Sequence, residues 1–402
     1  MKILMLTPYL PYPPSSGGQV RSYNLIKNLA KKHEITLFSL IKDDDEKKDV
    51  RYLEEFCQKV RVFRRPARPW ILSNILKTGL GPYPFLVIRN FSKEEKEAIS
   101  GELSAKSFDL IHAENFYVMP HLPKTTIPVL LTEQTILYRV YQHFVESLPW
   151  YLFWLKPILM VDVLKLRYWE AFYWKKSDFL AAVSEDDLPE IRALAPKKKV
   201  HIVPNGVDFS YFGEMKYKKD PSPTILFGAA DFHWMQNKEG ARILIEDIWP
   251  EIKKRVRGAK LWIVGKIAPE AMAEYIGQKD IVIEEITDSR EAYQRSWVLV
   301  APMRSGGGSR TKFFEAMASG LPIITTPEGI QGISAKWGEE VMVEKTPRSL
   351  AEAAIRFITN PKKAEDMSLK GKQLVREKYD WRESAKKLDC LYGEIGNAKR
   401  KG

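Results

Sequence analysis

The stretch that decides the fold is VLVAPMRSGGGSRTKFFEAMASG, which spans residues 298–320. It opens with the apolar run Val298–Ala301, passes through three consecutive glycines and continues into the helical pattern Thr311–Ser319. Such a succession is typical of the strand and helix units of parallel sheets. Ligands bind these sheets outside the carboxyl ends of the strands, so the loop is the first candidate site.

Short apolar runs alternate with longer helical segments along the whole chain, which predicts an α/β fold with parallel sheets. Helices such as Val20–Ala30 fill most of the gaps. The predicted strands are Ile3–Thr7, Ile35–Leu40, Val60–Phe63, Leu110–Ala113, Val129–Thr132, Phe179–Val183, Val200–Val203, Thr224–Gly228, Leu261–Val264, Ile281–Ile283, Val298–Ala301, Pro322–Thr325 and Val341–Val343.

The chain length predicts two domains, because single cores stop growing near about 250–300 residues and this chain has 402. Residues 206–223 combine turn residues, lysines and two prolines, so we predict an interdomain linker there. An N-terminal domain then covers residues 1–205, a C-terminal domain covers 224–380, and a helical segment covers 381–402.

Composition and charge narrow the function only broadly. The net charge is +12, from 63 basic and 51 acidic residues, which favours an anionic partner. Nucleic acid, anionic lipid and a nucleotide sugar all fit this charge, although no nucleic-acid-binding module is recognisable. Cys57 and Cys390 are too few for a disulfide framework, and the run Ile3–Leu6 is too short for a signal peptide, so we expect a cytoplasmic protein.

Residues 306–312, which we call the glycine cradle, suit a bound diphosphate. Three glycines permit close backbone approach, amides point outward at the start of the helix, and Arg310 and Lys312 add positive charge. The order of residues is not that of a P-loop. A flexible connector is the alternative. The predicted diphosphate contacts here are Gly308, Ser309, Arg310, Thr311 and Lys312.

Glu315 lies one helical turn after Thr311, so its carboxylate shares the face that begins at the cradle. A carboxylate would repel phosphate, but it can accept hydrogen bonds from the vicinal hydroxyls of a ribose. The alternative is an ion pair with Lys312.

A second glycine pair follows the first predicted strand. Gly17 and Gly18 end a proline-rich loop that runs from Pro8 to Val20 and leads into a helix. Paired glycines at a helix N-terminus let a phosphate or sugar approach the backbone, so both residues are candidate diphosphate contacts. A plain structural turn is the alternative.

Polar residues also follow two neighbouring strands of the first half. Glu114 and Asn115 end one strand, and Glu133 and Gln134 end the next. These positions suit acceptor-side groups, and Glu114 is the candidate catalytic residue because a general base would be useful at this rim. For either carboxylate, capping or a solvent-facing role is as good an interpretation. His112 is interpreted as a packed histidine.

Other chemistries find no support in the sequence. The six histidines show no H-E-x-x-H spacing and no C-x-x-C pair accompanies them, so we predict no metal site and no cofactor. A G-x-S-x-G nucleophile motif is also absent from the sequence.

The segment from Trp150 to Trp174 is crowded with aromatic and basic residues. Such a helix can lie in a membrane interface, which would suit a lipid-linked acceptor and an anionic membrane. Asp162, Glu170 and two prolines argue against a helix that spans the bilayer. Packing against the domain is the alternative.

The chain resembles the retaining GT-B glycosyltransferases of family 4 over nearly its whole length. The motifs that carry the resemblance are Gly17-Gly18 with Arg21, Ala182–Glu185, Val203–Asp208, Ile225–Gly228 with Trp234 and Asn237, Pro302–Lys312, and Phe314–Ile323.

This resemblance implies two Rossmann-like doubly wound domains that face a central cleft, and a C-terminal helix that crosses back to the first domain. It implies transfer of a sugar from a UDP- or GDP-linked donor to a sugar or lipid-linked acceptor, in polysaccharide or glycolipid synthesis. Glu315 would hold the ribose, and Arg310 and Lys312 would face the diphosphate. The backbone at Ile286, Thr287 and Asp288 would border the base.

Three departures from the family pattern concern the transferred sugar and the catalyst. Gly307 stands where a sugar-binding glutamate is common, Ala229 where an arginine is usual, and Glu114 where many members have a histidine. A sugar-nucleotide epimerase, a phosphorylase or a non-catalytic nucleotide-sugar binder would share the architecture.

Overall fold

The computed structural model describes residues 1–66, 70–304 and 311–401. They form two compact units, one built from Met1–Pro204 and Ser384–Gly402 and the other from Asn205–Glu383. Each of the thirteen predicted strands forms, so the predicted α/β fold class is confirmed.

The first unit contains a sheet of seven parallel strands in the order β3-β2-β1-β4-β5-β6-β7. Most of these strands are continuous apolar runs buried on both faces, as parallel sheets covered by helices require. The strands are β1 Lys2–Thr7, β2 Glu34–Ile41, β3 Lys59–Arg64, β4 Leu110–Glu114, β5 Val129–Glu133, β6 Phe179–Ala182 and β7 Val200–Ile202.

Helices connect these strands, and short 3₁₀ turns such as Trp150–Leu155 accompany them. The first helix begins at Gly17, three residues earlier than predicted, so the glycine pair lies in its first turn. The helices are α1 Gly17–Leu29, α2 Arg51–Glu54, α3 Leu72–Leu80, α4 Phe85–Arg89, α5 Lys93–Ala105, α6 Leu137–Glu146, α7 Lys156–Lys176 and α8 Leu188–Leu194.

The second unit contains a sheet of six parallel strands in the order β10-β9-β8-β11-β12-β13. Gly265 is required in β9, because a Cβ there would lie 2.0 Å from the Ala230 carbonyl oxygen at an irregularity in β8. The strands are β8 Thr224–Asp231, β9 Lys260–Lys266, β10 Ile281–Glu284, β11 Val298–Ala301, β12 Ile323–Thr325 and β13 Met342–Val343.

The helices of this unit begin at recognisable signals, as in α16, where Thr346 caps Ser349 and Pro347 occupies the first turn. They are α9 Phe209–Gly213, α10 Met235–Ile243, α11 Trp249–Arg255, α12 Ala268–Ala271, α13 Ser289–Arg295, α14 Thr311–Ala318, α15 Pro327–Ile330, α16 Pro347–Thr359 and α17 Pro361–Lys378.

Two segments bear on the predicted domain limits. The segment 206–223 carries α9 and packs on the second unit, where Gln294 Oε1 accepts hydrogen bonds from the backbone N–H groups of Lys216 and Tyr217. The last helix, α18 Trp381–Lys401, belongs to the first unit from Ser384 onward. Across the described residues, no helix is both long enough and apolar enough to cross a bilayer.

Candidate functional site

The order of strands reverses once in each sheet, and these reversals place the candidate residues. In the first unit β1 lies between β2 and β4, and in the second unit β8 lies between β9 and β11. Ligands bind doubly wound sheets outside the carboxyl ends of the strands at such a switch point. Glu114 ends β4, and the glycine cradle follows β11.

In the second unit, the Glu315 carboxylate is half-buried on α14. The Tyr293 hydroxyl, from α13, donates a 2.9 Å hydrogen bond to its Oε2 atom. Burial raises the pKa of Glu315 to about 7, although the Tyr293 hydrogen bond opposes the shift. A carboxylate that has lost most of its water is a strong acceptor for hydroxyl groups of a ligand.

Lys312 lies in the first turn of the same helix and is only 8% exposed. Its Nζ donates a 3.0 Å hydrogen bond to Asn237 Oδ1 of α10 and lies 4.8 Å from the centre of the Phe227 ring. An ammonium group held beside an amide oxygen and over an aromatic ring has a fixed position from which it can face an anion. This arrangement fits the predicted diphosphate contact.

Most of the glycine cradle lies outside the described residues, including Gly308, Ser309 and Arg310. Thr311 and Lys312 are described, and Thr311 is half-buried at the start of α14. The roles of all five residues stay predictions.

The predicted base-binding segment follows β10, and Asp288 is its most engaged residue. Its carboxylate caps α13 and accepts from the Arg290 guanidinium, with the Nη2 to Oδ2 distance at 2.9 Å, and from Tyr217 at 3.2 Å. These donors hold the pKa of Asp288 well below its usual range. The Asp288 side chain is therefore used within the protein, and the backbone role of Ile286, Thr287 and Asp288 beside the base stays a prediction.

In the first unit, Glu114 is fully buried at the end of β4. The Gln134 side-chain amide donates to its Oε2 atom, which also lies 3.8 Å from the buried Arg21 Nε. Burial lowers the pKa of Arg21, and the Glu114 charge opposes that shift. The structure therefore brings Glu114 and Gln134 together as predicted, in a buried cluster that we call the Glu114 cluster.

His112 packs beneath this cluster, as its sequence position predicted. Its Nδ1 lies 2.7 Å from the Tyr392 hydroxyl of α18, and its Nε2 lies 2.7 Å from the Thr132 hydroxyl. Burial lowers the pKa of His112 to about 4. The imidazole is therefore neutral at physiological pH, and the packed-histidine interpretation is confirmed.

Gly18 closes the cluster from above. The Tyr9 hydroxyl donates to Gln134 Oε1 at 3.0 Å, and a Cβ on Gly18 would lie 2.1 Å from that hydroxyl oxygen. The glycine is thus required for α1 to approach Tyr9. Ser16 makes no side-chain cap to α1, so the first-turn amide of Gly18 lacks the usual capping oxygen.

Glu133 points away from the Glu114 cluster. Glu114 pairs with Thr132, so the next residue of β5 faces the opposite side of the sheet. There Glu133 Oε2 accepts a 3.0 Å hydrogen bond from Trp174 Nε1, and burial, with the nearby Glu170 carboxylate, raises the pKa of Glu133 well above its usual range. Glu114 and Glu133 therefore lie at the ends of adjacent strands on one rim, as predicted, but strand alternation turns their side chains to opposite sides of the sheet.

Asn115 turns the chain at the end of β4 with a φ of 73°. Its Oδ1 accepts from the Gln134 backbone N–H at 3.3 Å. The predicted acceptor-side role of Asn115 therefore depends on this turn, which places the residue at the end of β4. Tyr293 and Tyr392 are site residues that the sequence did not point to, since no motif marks either one.

Two family models match the chain. One, described as Glycosyltransferase Family 4, matches residues 15–211, and the other, described as Glycosyl transferases group 1, matches residues 222–360. A protein of Klebsiella pneumoniae, described as an uncharacterized 44.6 kDa protein in the cps region, is 20% identical over 94% of this chain and 96% of its own length.

Solved structures agree on the fold. Sucrose-phosphate synthase from Thermosynechococcus elongatus superposes with a TM-score of 0.71 at 15% identity, covering 99% of this chain and 100% of that one. Anabaena HepE, solved in complex with UDP, superposes with a TM-score of 0.62 at 14% identity, covering 98% and 100%.

The two doubly wound sheets and the matched families define a glycosyltransferase of the GT-B fold. The chain belongs to the group 1, family 4 glycosyltransferases, and it is an enzyme that transfers sugars.

Proposed function

We propose that this enzyme transfers a sugar, with retention at the anomeric carbon, from a UDP- or GDP-linked donor to an acceptor hydroxyl. The observation that carries the proposal is the pair of Glu315 and Lys312 on one turn of α14, where β11 ends at the switch point. An acceptor for ribose hydroxyls and a cation for the diphosphate are thereby supplied by a single helix.

The electrostatics of the second unit fit the departure of a nucleoside diphosphate. Negative charge develops on the leaving group as the bond to the anomeric carbon breaks, and fixed cations and amides that face it lower the barrier. Lys312 is fixed by Asn237 and Phe227, so little reorganisation is needed. The sequence places Arg310 beside it.

The Glu114 cluster is proposed to support the acceptor side. Glu114 orients Arg21 and Gln134, and a direct catalytic role for its carboxylate stays a proposal that needs it to become accessible. Tyr9, which contacts Gln134, lies in the loop that leads to the first amides of α1.

Two comparisons support the donor and the pathway. HepE, which shares the fold, binds UDP. The Klebsiella relative is described by its place in a cps region, which favours polysaccharide or glycolipid synthesis with a sugar or lipid-linked acceptor. We place the enzyme in the cytoplasm, where a nucleotide-sugar donor would meet an acceptor at the inner face of the membrane.

A donor screen followed by product analysis tests the proposal. Thermal shift with UDP, GDP and their sugars would identify the nucleotide, and incubation of the labelled donor with candidate acceptors would follow the label. A labelled product with the donor's anomeric configuration, read from proton coupling constants, is expected. Recovery of only an isomerised donor would indicate an epimerase, and release of the sugar as a sugar phosphate would indicate a phosphorylase.

A further inference from the structure

The first unit carries an extended apolar surface that its core does not use. It is made by the exposed side chains of residues 70–80 and 150–172, which we call the aromatic face. Leu80 is 89% exposed and Trp150 is 84% exposed, and no residue of the 3₁₀ turn Trp150–Leu155 is buried. Monomeric soluble proteins rarely expose contiguous apolar patches larger than a few hundred Å².

Helix α7 supplies one half of the aromatic face as a regular stripe. Ile158, Val161 and Tyr168 are all exposed and lie three and seven residues apart, which places them on one side of the helix. Leu166 and Trp174 lie on the other side and are fully buried in the unit. One side of α7 therefore packs into the core. The other side is apolar and is left unpartnered within the described residues.

Residues 70–80 supply the other half, and hydrogen bonds hold them against α7. Lys165 Nζ donates to the carbonyl oxygen of Thr78 at 2.5 Å and to that of Gly81 at 2.7 Å. Trp169 Nε1 donates to the Pro82 carbonyl at 2.9 Å. The two halves are thus one continuous surface on the first unit.

The charges on and around this surface are mostly positive, and the exception is Glu146, which is exposed and whose carbonyl oxygen accepts from Lys156 Nζ. Residues 70–92 contain Lys77 and Arg89 and no acidic residue. In residues 147–176 the acidic residues are Asp162 and Glu170, and both are engaged inward: Asp162 accepts from the Phe85 backbone N–H at 2.8 Å, and Glu170 is fully buried.

Arg167, Lys175 and Lys176 are exposed along α7. An exposed cationic rim around Trp, Tyr and Leu side chains is the composition that binds the interface of an anionic bilayer. In a symmetric dimer through the same face, each basic rim would meet its own copy, and like charges would oppose the contact.

We propose that the aromatic face docks the enzyme on an anionic lipid bilayer, with Trp150, Trp154 and Ile158 inserted at headgroup level and the basic residues of α7 on the phosphates. This proposal rests on the proposed function, because the bilayer is where a lipid-linked acceptor would be presented. It assigns residues 70–80 to the same surface as α7.

Cosedimentation of the full chain with vesicles tests the docking. We expect binding to phosphatidylcholine vesicles that contain 30% phosphatidylglycerol and weak binding to phosphatidylcholine alone. The triple variant Trp150→Ser, Trp154→Ser, Ile158→Ser should reduce the partition coefficient by at least about tenfold. The control Ile276→Ser, Trp337→Ser, Leu369→Ser removes three apolar side chains of the second unit that are each more than half exposed, and it should bind as the wild type does.

A second variant separates charge from insertion. Arg167→Gln, Lys175→Gln, Lys176→Gln should weaken binding at 0.1 M salt by roughly fivefold for each charge that lies near the surface, and by little at 0.5 M salt. Binding that is unchanged in the apolar triple, or indifferent to phosphatidylglycerol, would overturn the docking. So would light scattering that shows a dimer dissociated by the apolar triple while no vesicle binding occurs, since a second copy would then occupy the face.

Calorimetric titration with UDP and GDP keeps this test separate from that of the proposed function. Lost vesicle binding with intact nucleotide binding identifies a failure of docking alone. Vesicle binding without any nucleotide affinity identifies a failure of the proposed donor site.

Discussion

The switch points of the two sheets use similar residues in opposite ways. At the first, Glu114 is fully buried, accepts from Gln134 and lies 3.8 Å from Arg21. At the second, Glu315 is half-buried and Tyr293 is the donor that holds it, while Lys312 rests on a neutral amide and an aromatic ring. Polar groups that satisfy one another rigidify a fold, whereas a partly satisfied carboxylate keeps acceptor capacity for a ligand.

Strand-end position alone does not define a binding residue. Both carboxylates follow from the same topology, yet Glu114 is fully buried in a cluster with Tyr9 and Gly18, whereas Glu315 as a residue is half-buried.

Replacing Arg21 should destabilise the first unit more than any single change at the second switch point destabilises the second unit. Arg21→Met leaves the Glu114 charge buried beside no cation, which costs about 3–5 kcal/mol when one partner of a buried pair is removed. Amide hydrogen exchange of β1 and β4 would report the loss locally. Arg242→Met is the control, because its pair with Glu274 is exposed and should contribute less than about 1 kcal/mol. Equal protection in both variants would contradict the closed cluster.

Replacing Lys312 should weaken the nucleoside diphosphate that the donor screen identifies. Lys312→Ala removes a charge-assisted contact, so affinity should fall by about 1–3 kcal/mol, and Arg310→Ala should act in the same direction. Calorimetric titration would measure both, with Lys370→Ala as a control on an exposed lysine of the same unit. Because the charge faces phosphate, affinity for the nucleoside should change little. Unchanged diphosphate affinity in both variants would remove the cradle assignment.

Adding a methyl group to Gly18 should open the first cluster. Gly18→Ala forces a Cβ to within 2.1 Å of the Tyr9 hydroxyl oxygen, and overpacking of this kind costs about 1–3 kcal/mol. Gly101→Ala in α5 is the matched control, since a Cβ there meets nothing within 4 Å. That control should be stabilised by roughly 0.5–1 kcal/mol, as a solvent-facing helix glycine would be. Urea unfolding would compare the two, and equal stability would show that Gly18 is not sterically required.

The pH dependence of donor binding should follow Glu315. With a pKa raised to about 7, its carboxylate ionises between pH 6 and 8, and the ionised form is the better acceptor for ribose hydroxyls. Donor affinity should therefore rise several-fold over that range and stay flat in Glu315→Gln.

The stability of the ligand-free enzyme should change in the opposite sense. The folded protein keeps a proton on Glu315 that the unfolded chain releases near pH 4.5, so the free energy of unfolding decreases as pH rises from about 4.5 to 7. Glu315→Gln should make this slope shallower, while Glu133 and Glu95, whose pKa values burial also raises, maintain the remainder. A wild-type slope that persists in the variant would assign the titration to another group.

The smallest expected effect is that of metal removal. Lys312 and Arg310 supply the charge that faces the diphosphate, so we expect EDTA to leave the transfer rate unchanged. If EDTA lowers the transfer rate and Mg²⁺ restores it, the protein cations are insufficient at the second switch point.

The sequence predicted the local elements well because their signals are local. Apolar runs of three to six residues marked every strand, and the helical segment predicted from residue 381 starts where α18 does. The start of α1 was the exception, since glycines in a first helical turn look like a loop. The glycine-rich stretch and Glu315 could be assigned to one site from the sequence, because Glu315 lies one helical turn after the end of that stretch.

The sequence by itself thus determined the sheets, the two-unit organisation and the helix that carries Lys312 and Glu315. Only the tertiary structure decided which distant residues meet. Arg21 reaches Glu114, Tyr293 reaches Glu315, and Lys165 joins residues 70–80 to α7 across 87 positions of the chain. Periodicity specifies which side of an element is buried, but the partner across that side depends on strand order and register. Those are set by the packing of the whole unit.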